Sequence, residues 1–257
     1  MRTVTATRYV TPLREGGSLP AIVEADDDGL YVVKFRGAGQ GPKALVAELV
    51  VGEIGRALGL AVPEIVLVEL DPCLGDAEPD EEIQDLLHAS GGVNVGLDLL
   101  PGALAFSPAA APAPSAELAA DVVWFDAVTT NPDRSVQNPN LLIWHGRMWL
   151  IDHGAALYVH HTWQAPADHA RRPFERIRDH VLLPFAGSIA EADGRLAPRL
   201  TEEAIATIVG LVPDAWLATE PSIGGPAELR RAYVDYLTRR LAAPRGFVAE
   251  ADRARAS

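Results

Sequence analysis

The sequence predicts an α+β chain built in two halves, a β-rich first lobe over residues 1–105 and a mainly helical second lobe over residues 106–257. Three observations predict it. Up to Leu100 the chain is a series of short β-forming runs separated by Gly, Asp and Pro turns. The stretch Ser107 to Ser115, Ser-Pro-Ala-Ala-Ala-Pro-Ala-Pro-Ser, has nothing with which to build a core and reads as a connector. From Ala116 onward, helical patterns broken by Pro and Gly dominate, interrupted by one tight hairpin.

Thr5 to Pro12 and Ala21 to Glu24 are extended candidates, joined through Gly16-Gly17-Ser18. Asp26-Asp27-Asp28-Gly29 is a hairpin turn, and Leu30-Tyr31-Val32-Val33-Lys34-Phe35 after it is rich in β-formers. A glycine-rich connection, Arg36 to Pro42, leads into a helix from about Lys43 to Leu58, which Gly59 stops. Pro63 to Leu70 and Val93 to Leu100 are further strands, the second closed by Pro101-Gly102. The acidic run Asp76 to Asp85 is a solvated loop and helix start. Ala116 to Thr130 is a largely apolar helix. Leu141 to Trp144 and Met148 to Ile151 form a hairpin around His145-Gly146-Arg147.

Composition narrows the function. The chain has 257 residues, 48% hydrophobic and 22% charged, as expected of a folded domain. Its 35 acidic and 22 basic residues leave a net charge of −13, which repels nucleic acid phosphates. The arginine pairs at 171–172, 230–231 and 239–240 each sit among carboxylates, so no direct nucleic acid binding is expected. Cys73 is alone, which rules out an intrachain disulfide and a cysteine zinc site. The first residues lack an apolar signal core and no run is long enough to span a bilayer, so a cytoplasmic protein is expected.

The chemistry concentrates in Asn131-Pro132-Asp133-Arg134-Ser135-Val136-Gln137-Asn138, the hairpin, and Ile151-Asp152-His153-Gly154. Asp133, Asn138 and Asp152 then gather oxygen atoms at one end of the hairpin. Phosphoryl transfer needs such a set, because it is largely charge neutralisation: hard oxygen ligands hold Mg²⁺ on the phosphates, and a separate carboxylate orients the attacking hydroxyl. Asn138 and Asp152 are the candidate ligands, Asp133 the candidate base, and Gly154 the residue expected to turn the backbone beside the metal. Taken singly, each of these motifs is also an ordinary Asp/Asn/Pro turn.

Lys34 closes an apolar strand, where an ammonium needs a carboxylate partner or a solvated strand end. Glu48 and Glu53 compete. Glu48 shares its helix face with Ala44, Gly52 and Gly55, which admit close approach of another element, and is the choice. Gly16-Gly17-Ser18 and the 36–42 connection are candidate phosphate loops, though neither fits a complete glycine motif. His153, His160 and His161 match no zinc spacing and are assigned structural or surface roles; Trp124, Trp144 and Trp149 are packing aromatics. Arg134 is given a supporting role behind Asp133.

In that order, Val33-Lys34-Phe35, Glu48, Leu97 to Gly102, Asp133-Arg134 with Asn138, and Ile151-Asp152-His153-Gly154 resemble a protein-kinase-like catalytic core over residues 10 to 160. The Asp-Arg-x-x-x-Asn and Ile-Asp-x-Gly pair is similar to the HipA-like kinases and their phosphatidylinositol-kinase relatives more than to conventional Ser/Thr kinases. The resemblance implies a bilobal kinase-like fold with ATP and Mg²⁺ as cofactors. It implies that Lys34 contacts the phosphates, that Glu48 pairs with it, and that Asp98, Leu99 and Leu100 form an adenine-binding hinge. Gly16, Gly17 and Ser18 would cover the phosphates, Asp133 would be the base, and Asn138 and Asp152 would hold the metal. His153 stands where Asp-Phe-Gly has its aromatic, Pro132 stands before Asp133, and Ala-Pro-Glu is absent, so no conventional loop-phosphorylation switch is expected. The implied acceptor is a hydroxyl on a protein or a small molecule. A nucleotide-binding pseudokinase and an adenylyl or small-molecule transferase on the same fold are the alternatives. Some HipA-like proteins work with an antitoxin-like or DNA-binding partner, so a protein partner is also open.

Overall fold

The computed structural model describes residues 1–13, 19–39, 41–109, 113–218 and 223–256. Five strands close into a barrel in the order β1 (Thr3–Pro12), β2 (Ala21–Ala25), β3 (Leu30–Lys34), β5 (Gly92–Asp98) and β4 (Ile65–Leu70). The β2–β3 hairpin turns at the aspartate run, where Asp28 is left-handed (φ 59°) and the Gly29 amide donates to Asp27 Oδ1 at 3.1 Å. Closure depends on a pairing that no local signal announces, the parallel ladder of Thr3–Thr5 with Leu67–Glu69.

Strand alternation divides the apolar residues between two cores. Val4, Ala6, Ala21, Val23, Ala25, Tyr31, Val33, Val66, Val68 and Leu70 fill the barrel, and Ile83 and Leu87 of α2 (Glu81–Ala89) join them. Small and β-branched side chains suit so narrow an interior. At Gly96 a Cβ would lie 2.7 Å from Val68 and 3.1 Å from Val66, so only glycine fits there. On the outer face, Ile65 and Val95 pack instead with α1 (Pro42–Ala57) and the rest of the chain. The helix of the first half thus belongs to the core of the second. Arg199 fastens it there by donating to the carbonyls of Ala57 and Leu58, which the ending helix leaves free.

The second core is centred on α3 (Ala116–Thr129), capped by Ser115, whose hydroxyl accepts the Leu118 amide at 3.2 Å. From Ala119 to Val128 it is buried except at Asp121, as its nearly uninterrupted apolar sequence demands. Around it stand α5 (Ile189–Leu196), α8 (Pro226–Leu241) and α9 (Gly246–Arg255), with α4 (Pro166–Arg171) on α8. The chain also passes through α6 (Glu202–Val209) and α7 (Asp214–Leu217), both against α1; Trp216 of α7 donates to the Val93 carbonyl at 2.9 Å. A small sheet of β6 (Leu104–Ala105), β7 (Leu141–Trp144) and β8 (Arg147–Leu150) lies at the junction. It is tied to the barrel side by Leu150 N–H donating to Ala61 at 2.7 Å and by Trp144 Nε1 donating to Pro101 at 3.0 Å. None of the helices among the described residues is long and apolar enough to cross a membrane.

Candidate active site

Tyr31 and Val33 point into the barrel, so period-two alternation turns Lys34 outward, toward α1. Its Nζ donates to Glu48 Oε2 at 2.5 Å and also to Asp152 Oδ1. Glu48 Oε2 accepts in addition the His153 amide at 2.8 Å. On the same face of α1, a Cβ on Gly52 would lie 2.4 Å from Ile65 of β4, whereas one on Gly154 would make only ordinary contact with Ala44, at 3.6 Å. Glu53 faces elsewhere and pairs with Arg56 at 3.3 Å. Burial disfavours the charge on Lys34, yet Glu48 and Asp152 outweigh it and its pKa is raised. Burial also opposes ionisation of Asp152, but Lys34 prevails and holds its pKa below the usual range; Glu48, with no solvent contact, is pushed up by burial.

Asp133 is held differently. Its amide donates to Asn131 Oδ1 at 3.1 Å, Asn138 Nδ2 donates to both of its carboxylate oxygens at 3.0 Å, and Asn140 Nδ2 donates to its carbonyl at 2.6 Å. Asn140 accepts the Ile151 amide on its own carbonyl at 3.1 Å, which stitches the Asp133 loop to the residue before Asp152. Both ends of the hairpin bend through left-handed backbone, at Asn140 (φ 48°) and Asp152 (φ 55°). The sharp turn was expected at Gly154. It falls on Asp152 itself, and a Cβ on Gly154 would make only ordinary contact with Ala44 and Glu48.

Behind the loop lies a buried polar network. Arg134 Nε donates to Asp126 Oδ2 at 2.5 Å, and its other nitrogens reach the Asn140 carbonyl and His153 Nδ1. Asp126 also meets His180 Nε2 at 2.8 Å and Asn131 Nδ2 at 3.1 Å. Burial alone would raise the Asp126 pKa; Arg134 and His180 reverse that and lower it to about 2. Burial, aided by Arg134, pushes His153 down to about 3, so it accepts from Arg134 as a neutral ring. Asp126, Asn140 and His180 were absent from the sequence reading. Asp126 had a usable signal: an acid inside an apolar helix stretch, Val-Val-Trp-Phe-Asp-Ala-Val, needs a buried partner.

Asn138 Oδ1 and Asp152 Oδ2 have no protein partner among the described residues. No group of three His, Cys, Asp or Glu side chains among those residues is placed to hold a metal ion. One amide oxygen and one carboxylate oxygen fit a hard ion that takes its other ligands from phosphate and water, as Mg²⁺ does. Gly16, Gly17 and Ser18 lie outside the described residues. In the other glycine segment the Gly37 and Gly41 amides are committed to Ser90 Oγ and the Ala38 carbonyl. Of the expected hinge, the amides of Asp98 and Leu99 donate to the carbonyls of Glu64 and Leu30, whereas the Leu100 amide has no such acceptor among the described residues.

A lysine-glutamate pair on a strand and helix, set against an Asp-x₄-Asn loop, belongs to proteins of the kinase-like class, and the fold agrees. Across 99% of this chain and 99% of its own, the crystal structure of the Helicobacter pylori proinflammatory kinase CtkA superposes with a TM-score of 0.61 at 14% sequence identity, a likeness of fold. The family profile described as HipA-like kinase matches residues 7–245, and the chain belongs to that family of phosphotransferases. No curated protein matches it in sequence.

Proposed function

We propose that the chain is an ATP- and Mg²⁺-dependent kinase that transfers the γ-phosphoryl group to a hydroxyl, a Ser or Thr of a protein. The reading takes the barrel with α1 and α2 as the nucleotide lobe and the helical remainder as the catalytic lobe of a bilobal enzyme. The observation that carries it is Lys34 bridging Glu48 and Asp152 across the two cores. Burying an ammonium beside a fully buried carboxylate carries a desolvation cost, and holding that ammonium next to the part-exposed Asp152 supports a use for it in meeting phosphate oxygens.

Glu48 keeps Lys34 extended toward the phosphates. Asn138 Oδ1 and Asp152 Oδ2 would hold Mg²⁺, which neutralises phosphate charge when bound. Asp133 accepts the proton of the acceptor hydroxyl as its oxygen bonds to the γ-phosphorus; the bond to the β,γ-bridging oxygen breaks and ADP leaves. Asn138 and Asn140 orient that carboxylate without neutralising it. Leu100 would offer its amide to adenine. ATP dependence puts this work in the cytoplasm, alone or with a protein partner.

The test is intact-mass and peptide mass spectrometry after incubation with ATP, Mg²⁺ and Ser/Thr acceptors. A phosphate added by the wild type and abolished by EDTA is the expected result. An added adenylate, or no addition to any acceptor, would overturn it.

A further inference from the structure

Two adjoining clefts flank Pro132, the residue before Asp133, and neither is lined by Lys34, Glu48 or Asp152. One, about 650 Å³, is lined by Asp133, Ser135, Gln137, Arg176, Arg178 and Asp179 among others. The other, about 400 Å³, has Thr130, Arg172, Phe174, Arg176, Tyr236 and Arg240 in its wall. Pro132 and Arg176 line both, so a bound chain can run from one into the other.

The smaller cleft is cationic in a protein of net charge −13. Arg230, Arg231 and Arg239 pair with Asp214, Glu228 and Asp235, each at 2.7 Å, as their acidic neighbourhoods predict. Arg172 and Arg240 depart from that expectation. Exposed Arg172 and Arg176 make no ion pair with a carboxylate among the described residues; Arg172 reaches only His169, at 3.5 Å. Arg240, 2% exposed, donates to the carbonyls of Ala127, Val128, Ala170 and Arg172 and lies over Phe247. The α3 C-terminus meets part of that charge, but no carboxylate lines the cleft. Thr130 Oγ1, also in its wall, is buried without a hydrogen-bond partner. Two exposed guanidinium groups, His169 and an orphaned hydroxyl line the cleft, with the carbonyl-bound Arg240 in its wall, where an anion would meet them.

We propose that the cleft of Arg172, Arg176, Arg240 and Thr130 receives an anionic side chain of the acceptor, so that the substrate is an acidic peptide segment. Its Ser or Thr hydroxyl lies at Asp133, and a neighbouring Asp, Glu or phosphorylated residue lies on Arg172 and Arg176. The assignment of the acceptor rests on the kinase reading; the anion cleft does not.

Two measurements on the full chain test it. The first is fluorescence anisotropy of a labelled Asp-rich peptide and a matched Lys-rich peptide, without nucleotide. The second is phosphorylation of a degenerate Ser/Thr peptide library with Mg²⁺-ATP. Acidic peptides should be preferred in both, and added salt should erode the preference. R172A/R176A should weaken acidic-peptide binding and raise KM about tenfold, with kcat at saturating peptide falling less. Arg171→Ala, exposed and lining neither cleft, should change nothing. R172E/R176E should turn the preference toward Lys-flanked peptides. Equal binding of acidic and basic peptides, or R172A/R176A indistinguishable from wild type, would overturn the proposal. Transfer to acidic and basic peptides alike would sink the cleft and leave the kinase reading standing. Arginine-dependent acidic binding with no transfer to any acceptor would do the reverse.

Discussion

Asp133 and Asp152 are carboxylates at the same end of one hairpin, held in opposite ways. Asp152 is pinned by a buried ammonium that Glu48 also shares, although its own side chain is 40% exposed. Asp133 is partly exposed and wrapped by the amides of Asn138 and Asn140. An ammonium cancels charge as it orients; an amide orients and leaves the charge in place. One carboxylate is therefore charge-paired, and the other is oriented by amides, as the proposed base has to be.

The largest effect expected from this contrast is on rate. Asp133→Ala should lower kcat by about 10³-fold in a peptide phosphorylation assay, while ATP affinity and thermal midpoint stay close to wild type. Glu48→Ala should act on stability first. It leaves Lys34 with half of its counter-charge in a buried site and should cost about 3 kcal/mol in denaturant unfolding, with ATP binding weakened as well. The apolar double replacement K34M/E48L should recover much of that stability and no transfer. If Asp133→Ala destabilised the chain as much as Glu48→Ala, the two carboxylates would not differ as described.

The buried network behind the loop sharpens the contrast through pH. The folded-state pKa of Asp126 is lowered to about 2, below its unfolded value, so its contribution is complete above pH 4 and is lost as pH falls through 2. The size follows from the shift, about 2 kcal/mol across that window. Urea unfolding at pH 4 and pH 2 measures it, and a wild type whose acid-limb slope matches that of Asp126→Asn would remove the assignment. The smallest effect is at Glu53, the rejected partner of Lys34. Its pair with Arg56 is a single turn of one helix, and Glu53→Gln should move stability by no more than about 0.5 kcal/mol.

Local signals were strong wherever the physics is local. The aspartate turn before Leu30, the glycine stop at Gly59 (φ 81°) and the helix after Ser115 all follow from short-range rules, and their boundaries fall within one or two residues of expectation. The apolar strand marked Lys34 as an ammonium in need of company, and of the two glutamates the sequence offered, Glu48 is the one that meets it while Glu53 pairs with Arg56. The hairpin signal placed Asn138 and Asp152 at one end of the same pair of strands.

By itself, then, the sequence determined the element types and their order, because propensity and periodicity act within a few residues, and it nominated Lys34, Asn138 and Asp152 as candidates for phosphate and metal. The tertiary structure alone decided that five strands close into a barrel, that α1 leaves the barrel's core for the other one, and that Asp126, Arg134 and His180 satisfy one another out of water. It also decided that Arg172, Arg176 and Arg240 share a cleft without a carboxylate. Each of these is a meeting of residues far apart in the chain, and the energy of a buried charge depends on what it meets rather than on what precedes it.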